Sequence, residues 1–430
     1  MKKKSKNNTY RSLRGMPDIL PQEAGAFYMV EKSARKVFRM FGFTEIRTPI
    51  LEETVLFTRS IGEDTDIVEK EMYSLKDRSE KEISLRPEGT ASVIRAFIER
   101  GLDKENNISK LFYIGPMFRS ERPQKGRLRQ FHQIGAEMIG VPKGSICYDV
   151  ELITNAMSVI DSAGIEKAEL NINSLGCSDD REKYKKMLKE ALLKKKDELC
   201  ENCQRRTSSN VLRVLDCKNK ECKHIIAAAP KVSDSLCEEC SSNYCGVKDN
   251  LKKLGVKFKE NHNLVRGLDY YTGMVFEINH PSLGAQDAIA AGGRYDDLAG
   301  EMGGPDVGAI GYALGIERAL LAVSDEKKPV IVKGVLVIVL GEENLTEALR
   351  TVQKFREHDI SCEIEVTTSS LKSIMKRANK EKREKVIIIG DQEVNKGVVL
   401  FKDMETGDQE ELTIGECVEK IKSQRVRESG

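Results

Sequence analysis

The sequence predicts an α+β chain: an antiparallel sheet flanked by helices, a mainly helical insertion, and a smaller C-terminal α/β domain. Three observations carry this. Leu111–Gly140 reads strand, loop, strand. Cys177 to about Lys257 is rich in Lys and Glu at helical spacing. Beyond residue 334, apolar strands alternate with amphipathic helices, the pattern of a mostly parallel sheet covered on both faces. A chain of 430 residues exceeds one ordinary core. The boundaries expected are 1–322 for the first domain, with its insertion at about 178–257, then 323–333 as linker and 334–430 as the second domain.

The elements follow in order. Met1 to Asn8 is lysine-rich, but no apolar segment follows, so it reads as a tail rather than a secretory signal. Phe27, Val30, Ala34, Val37, Phe38 and Phe41 recur at helical spacing, and Gly42 is placed to end that helix. Phe43–Ile46 reads as a strand stopped by Pro49, and Ile83–Leu85 as another. RPEGT (Arg86–Thr90) then opens a helix that runs to about Arg100, so Glu88 and Thr90 stand at a strand-to-helix junction. Read alone, Thr90 is an ordinary helix cap.

Five basic side chains fall between Arg119 and Arg129, in the loop of the strand–loop–strand segment, with Gly126 supplying a turn. Gln133 and Glu137 lie four apart on the second strand and therefore share one face. Guanidinium groups hold phosphate oxygens bidentately, so a cationic loop beside a polar sheet face suits a nucleotide triphosphate. Charge runs are more often solvated hairpins. Further on, Leu264–Ile278 crowds Arg266, Asp269, Tyr270 and Tyr271 into one segment. Ala290–Leu321 is Gly-rich, with a strand through Ile310 and Tyr312 and a helix bearing Glu317 and Arg318.

Seven of the eleven Cys lie between Cys200 and Cys245. Two C-x-x-C pairs, Cys200/Cys203 and Cys237/Cys240, have the ligand logic of one thiolate zinc site, although 33 residues separate them. The bland alternative is reduced cysteine scattered through helices. The charged fraction is 32% and the net charge +2, so any nucleic-acid surface is local. No apolar run approaches the roughly 18 residues of a membrane span. A cytoplasmic location and reduced thiols are therefore expected.

The string GPMFRSERPQKGRLRQFHQ resembles motif 2 of class II aminoacyl-tRNA synthetases, in its histidyl-tRNA synthetase version. RGMPDILP, RPEGT, VLRVLDCK (with Val211 where Pro is usual) and RGLDYYTG extend the likeness over nearly the whole chain. The helix–Gly–strand–Pro element is similar to motif 1, the dimer-forming element, and the Arg318 helix to motif 3. RGLDYYTG is the segment that points to histidine. The resemblance implies the class II antiparallel sheet, a helical insertion of the bacterial type and a C-terminal anticodon-binding domain. It also implies a homodimer acting on tRNA(His), L-histidine and ATP with Mg2+.

The same resemblance implies the site. Arg119 and Arg266 are the catalytic cations on the α-phosphate, Arg266 also meeting the substrate carboxylate. Arg127 reaches the γ-phosphate, and Phe131 and Arg318 sandwich adenine. Glu137 and Tyr271 meet the imidazole, with Tyr270 beside them. Glu88, Gly89, Thr90 and Gln133 serve the α-amino group. Arg122 and Gln124 face the tRNA acceptor end. The family does not generally depend on zinc, so purified protein is expected without stoichiometric zinc. Two other readings compete. A histidine-sensing regulatory paralogue typically loses motif residues and the last domain, whereas Arg119, Arg266 and Arg318 stand here. A class II nucleotide-dependent module without tRNA does not explain the C-terminal domain.

Overall fold

The computed structural model describes residues 10–428 except 64, 106, 285–286, 330–333 and 367–369. The lysine-rich tail and the end of the expected linker lie outside the described residues. The chain divides into two compact units, Met1–Pro329 and Val330–Gly430.

The first unit is built on an eight-stranded sheet. Its order is 44–45, 109–118, 130–141, 308–315, 288–294, 272–279, 169–174, 259–260. The six central strands pair antiparallel, and each two-residue edge strand pairs parallel. Strand alternation gives the two faces different work. On Gln130–Val141, Ile134, Ala136 and Met138 point into the main core, with Val30, Val37 and Phe38 of helix Pro21–Met40 and Ile153 and Ala156 of helix Ile146–Ser162. Residues of the other parity, Phe131 and Ile139, join a second cluster on the opposite face with Tyr113, Tyr270, Tyr271 and Tyr295.

Helix Pro21–Met40 starts earlier than its apolar spacing indicates, because Pro21 occupies its first turn, where no N–H is needed. It ends as expected. Gly42 has φ 76°, and Phe43 N–H donates to Phe38 O at 2.9 Å. These satisfy the last carbonyls in a left-handed cap. The strand after it is shorter than expected, Thr44–Glu45. The strand expected at Ile83–Leu85 is present as Glu82–Leu85, and it is the centre of a three-stranded sheet whose other strands, 51–53 and 73–76, the sequence did not indicate. The insertion is helical, from Ser178–Leu193 to Glu238–Lys253, and encloses a small core of its own around Tyr184, Leu188 and Val214.

The second unit has a five-stranded sheet ordered 362–366, 335–339, 385–389, 399–403, 409–412. The expectation of a mostly parallel sheet is corrected here. Two pairings are parallel, but Lys385–Ile389 with Val399–Asp403, and that strand with Gln409–Leu412, are antiparallel. The last strands are joined by a tight turn through Gly407, φ 82°, with no room for a crossover helix. Both faces are covered. Val337, Ile387 and Phe401 pack on one side, and Leu336, Ile338 and Ile388 on the other with Ile374 and Ala378 of helix Leu371–Lys380.

Candidate active site

The site forms on the second face of the large sheet because register puts its polar residues there together. Glu137 pairs with Gly311 on the neighbouring strand, and Gly135 with Tyr113 on the other. Both glycines are required by space. A Cβ at Gly311 would lie 1.6 Å from Glu137 Oε2, and one at Gly135 would lie 2.1 Å from the Tyr113 ring. Gly89 is held to glycine by the same ring, 2.3 Å from an added Cβ. The three glycines thus let a carboxylate and a phenol lie flat over the sheet.

Glu137 is fully buried. Thr90 Oγ1 donates to its Oε1 at 2.8 Å, and the Tyr295 hydroxyl donates to Oε2. Burial outweighs these donors and pushes its carboxyl up to about 8. Glu88 is buried too, and accepts from the N–H groups of Thr90 (2.6 Å) and Ala91 (2.9 Å). It satisfies the first turn of helix Thr90–Arg100, a job the sequence alone assigned to Thr90. Thr90 is free for Glu137 instead. Burial raises the Glu88 carboxyl as well.

Tyr270 and Tyr271 are buried, with ring centroids 4.7 Å apart, and Tyr295 stands edge-on to both. Arg266 lies 5.6 Å from the Tyr271 centroid, and its Nη1 donates to Glu277 at 3.0 Å. Arg119 lies 5.3 Å from the Phe131 centroid and donates from Nε to Pro87 O at 2.9 Å. That bond anchors one end of its guanidinium to the backbone. Arg127 reaches Glu121 at 3.2 Å, and Arg318 donates from Nε to Ala288 O. Burial, with Arg127 nearby, lowers the Arg318 value.

These groups line one open cleft of about 420 Å³, which holds Glu88, Thr90, Arg119, Arg127, Phe131, Gln133, Arg266, Tyr270, Tyr271 and Arg318. Glu137 lies behind that lining, bonded to Thr90, and Gly89 is next to Thr90 in the chain. Among the described residues, Gln133 Oε1, Tyr113 Oη and Arg266 Nε are buried without hydrogen-bond partners. Such atoms carry a desolvation cost that a polar ligand relieves. Arg122 and Gln124 stand apart, exposed at the tip of the loop, where Gln124 and Arg127 close a turn around Gly126, φ 74°.

Sequence reasoning missed Tyr113, Tyr295, Glu71, Glu121 and Glu277. Tyr113 carries a weak signal, since it shares the parity of Leu111 and opposes a glycine. Tyr295 directly follows the Gly-rich strand Ala288–Arg294. The insertion also reaches the cleft: Arg206 and Arg213 pair with Asp66 at 3.4 and 3.0 Å. That contact spans 147 residues and leaves no local trace. The proposed grouping of Cys200 and Cys203 with Cys237 and Cys240 is wrong. The first pair clusters with Cys217 and Cys222, the second with Cys177 and Asp180. The helices between the pairs send them to different places.

The histidyl-tRNA synthetase family model matches residues 15–319, and the anticodon binding domain model matches residues 334–424. A histidine–tRNA ligase from Syntrophotalea carbinolica is 44% identical over 402 residues, 94% of this chain and 96% of its own. One from Thermosipho melanesiensis is 45% identical over 406 residues, again 94% and 96%. The structure of apo S. aureus histidyl-tRNA synthetase superposes with a TM-score of 0.78 at 33% identity, covering 96% of this chain and 99% of that one. With those matches laid over this cleft and this sheet, the chain belongs to the histidyl-tRNA synthetase family.

Proposed function

We propose that the chain attaches L-histidine to tRNA(His) in an ATP-dependent reaction, through histidyl-adenylate, releasing diphosphate and AMP. One observation carries the reading. A fully buried carboxyl group, Glu137, is bonded to Thr90 in the lining of a cleft that also presents Arg119, Arg127, Arg266 and Arg318. The Glu137–Thr90 pair suits an imidazole and the arginines suit a triphosphate.

Histidine's carboxylate attacks the α-phosphorus of ATP, and the terminal ribose hydroxyl of tRNA then takes the acyl group. Neither step needs a protein nucleophile. The chain positions the reactants and stabilises charge at phosphorus. Arg119 and Arg266 act on the α-phosphate, and Arg266 also aligns the substrate carboxylate. Arg119 is held from Nε by Pro87 O, and its outer nitrogens would meet the phosphate. Arg127 exchanges Glu121 for the γ-phosphate, and adenine lies between Phe131 and Arg318. Glu137 and Tyr271 satisfy the two imidazole nitrogens. A site built to hydrogen-bond a ring rejects apolar isosteres strongly, because its buried groups are then left unpaired. Thr90, Gln133 and the Glu88–Gly89 junction receive the α-amino group. Arg122 and Gln124 meet the acceptor end.

Magnesium fits this cleft. Glu71 and Glu121 line it, and burial raises the Glu71 carboxyl, a cost that a cation removes. These two residues would hold the ion, which when bound neutralises phosphate charge. A homodimer is supported by Leu20, Tyr28, Met40, Leu51 and Val55, exposed apolar side chains before, on and after the helix that resembles motif 1. Among the described residues no helix is long and apolar enough to cross a membrane. The cytoplasm is the location proposed. The 334–424 unit reads the tRNA loop. The test is charging: labelled histidine should become acid-precipitable on tRNA(His) when ATP is present. A protein that makes no histidyl-tRNA in that assay refutes the reading.

A further inference from the structure

We propose that Cys200, Cys203, Cys217 and Cys222 bind one zinc ion that fixes the helical insertion in place. The four sulfurs lie within 4.8 Å of one another. Cys200 Sγ and Cys217 Sγ are 3.9 Å apart. Zinc–thiolate bonds of about 2.3 Å in a tetrahedron put sulfurs roughly 3.8 Å apart. A disulfide would need about 2.05 Å, and all four cysteines are free thiols.

The spacing agrees with the geometry. Cys200 and Cys203 are C-x2-C, and Cys217 and Cys222 are C-x4-C, both within the usual interval for paired zinc ligands. The first pair opens helix Glu201–Ser208, and the second spans the turn into helix Lys220–Ala227. Cys200 N–H donates to Cys222 Sγ at 3.3 Å, the outer support that metal thiolates commonly receive. Cys203 and Cys222 are fully buried, packed with Leu199, Val214 and Ile226. Four thiolates close the coordination sphere, so the ion is structural and has no place for substrate. The separations suit a single ion rather than a larger iron–sulfur cluster.

A small core gains most from such a staple. The insertion's core is small, and the chain between Cys203 and Cys217 carries Arg206 and Arg213, the residues paired with Asp66 at the cleft. The second group, Cys177, Asp180, Cys237 and Cys240, differs in kind. Cys237 is exposed, and the Asp180 oxygens accept from the N–H groups of Cys237 (2.9 Å) and Cys177 (3.4 Å). Its carboxylate is already used to join two helix starts.

The test is elemental analysis of the full chain, purified under reducing conditions without chelator. Wild type should carry one more zinc per chain than the Cys217→Ser/Cys222→Ser variant, and Cys237→Ser/Cys240→Ser should keep that zinc. Because the first variant could misfold, wild type is also stripped and refilled with cobalt. Intense thiolate-to-cobalt charge-transfer bands with tetrahedral d–d bands are expected, and one equivalent of zinc should abolish them. Zinc absent from wild type after reconstitution, iron in its place, zinc unchanged in Cys217→Ser/Cys222→Ser, or a cobalt spectrum without thiolate bands overturns the proposal.

Discussion

On the proposed reading, Glu137 serves histidine and Arg119 serves the phosphate. Arg119→Ala should slow adenylate formation by about 10²–10³, roughly 2–4 kcal/mol, because it removes a charge directed at the transition state. Pyrophosphate exchange in a folded variant checks this, and a wild-type rate would remove Arg119 from the role. Glu137→Gln should weaken histidine about 10- to 100-fold, the cost of leaving a buried polar group wrongly paired, with ATP little changed. Equal losses for both ligands would assign the residue wrongly. The same residue sets a pH signature. Its folded value, about 8, stands above its ordinary 4.5. Between those values the folded chain keeps a proton that the unfolded chain has lost. Stability therefore falls as pH rises through that window, by at most about 1.4 kcal/mol per unit, and levels off above it. Denaturant midpoints should show that slope in wild type and lose part of it in Glu137→Gln. Identical slopes in the two proteins would mean that Glu137 is ionised in the folded chain.

At the scale of elements, the strand–loop–strand of Ser109–Phe118 and Gln130–Val141 was legible because alternation and a basic loop are local patterns. The RPEGT junction was legible for the same reason. The role of its residues was not: Glu88, not Thr90, satisfies the helix start, since choosing between two cap candidates depends on what faces them across the sheet. Tyr113 and Tyr295 were missed because pairing register, not sequence spacing, brings them over Glu137. The two C-x-x-C pairs misled in the same way, their partners being chosen by helix packing. The loop yields a prediction of its own. Arg122 and Gln124 lie at its exposed tip, away from the cleft lining. Arg122→Ala with Gln124→Ala should leave pyrophosphate exchange near wild type and raise KM for tRNA in charging. Loss of exchange would place the tip in the adenylate step.

Taken whole, the proposed reading assigns activation to the first unit and tRNA reading to the second. Every residue assigned to the adenylate site lies between Glu71 and Arg318, inside the unit that ends at Pro329. The two-unit division was visible in the change of pattern after Pro329. The antiparallel half of the second sheet was not, because a buried strand reads alike whichever way its neighbour runs. A chain cut after Pro329, once shown to be folded, should form adenylate and charge tRNA poorly. Full charging by that fragment would remove the anticodon role from the second unit. The central claim is that this cleft activates histidine. Its most direct test is amino-acid-dependent exchange of pyrophosphate into ATP by the intact chain, run with each of the twenty amino acids. Exchange with histidine and with no other is the result predicted. Exchange with a different amino acid, or none with histidine, contradicts the account.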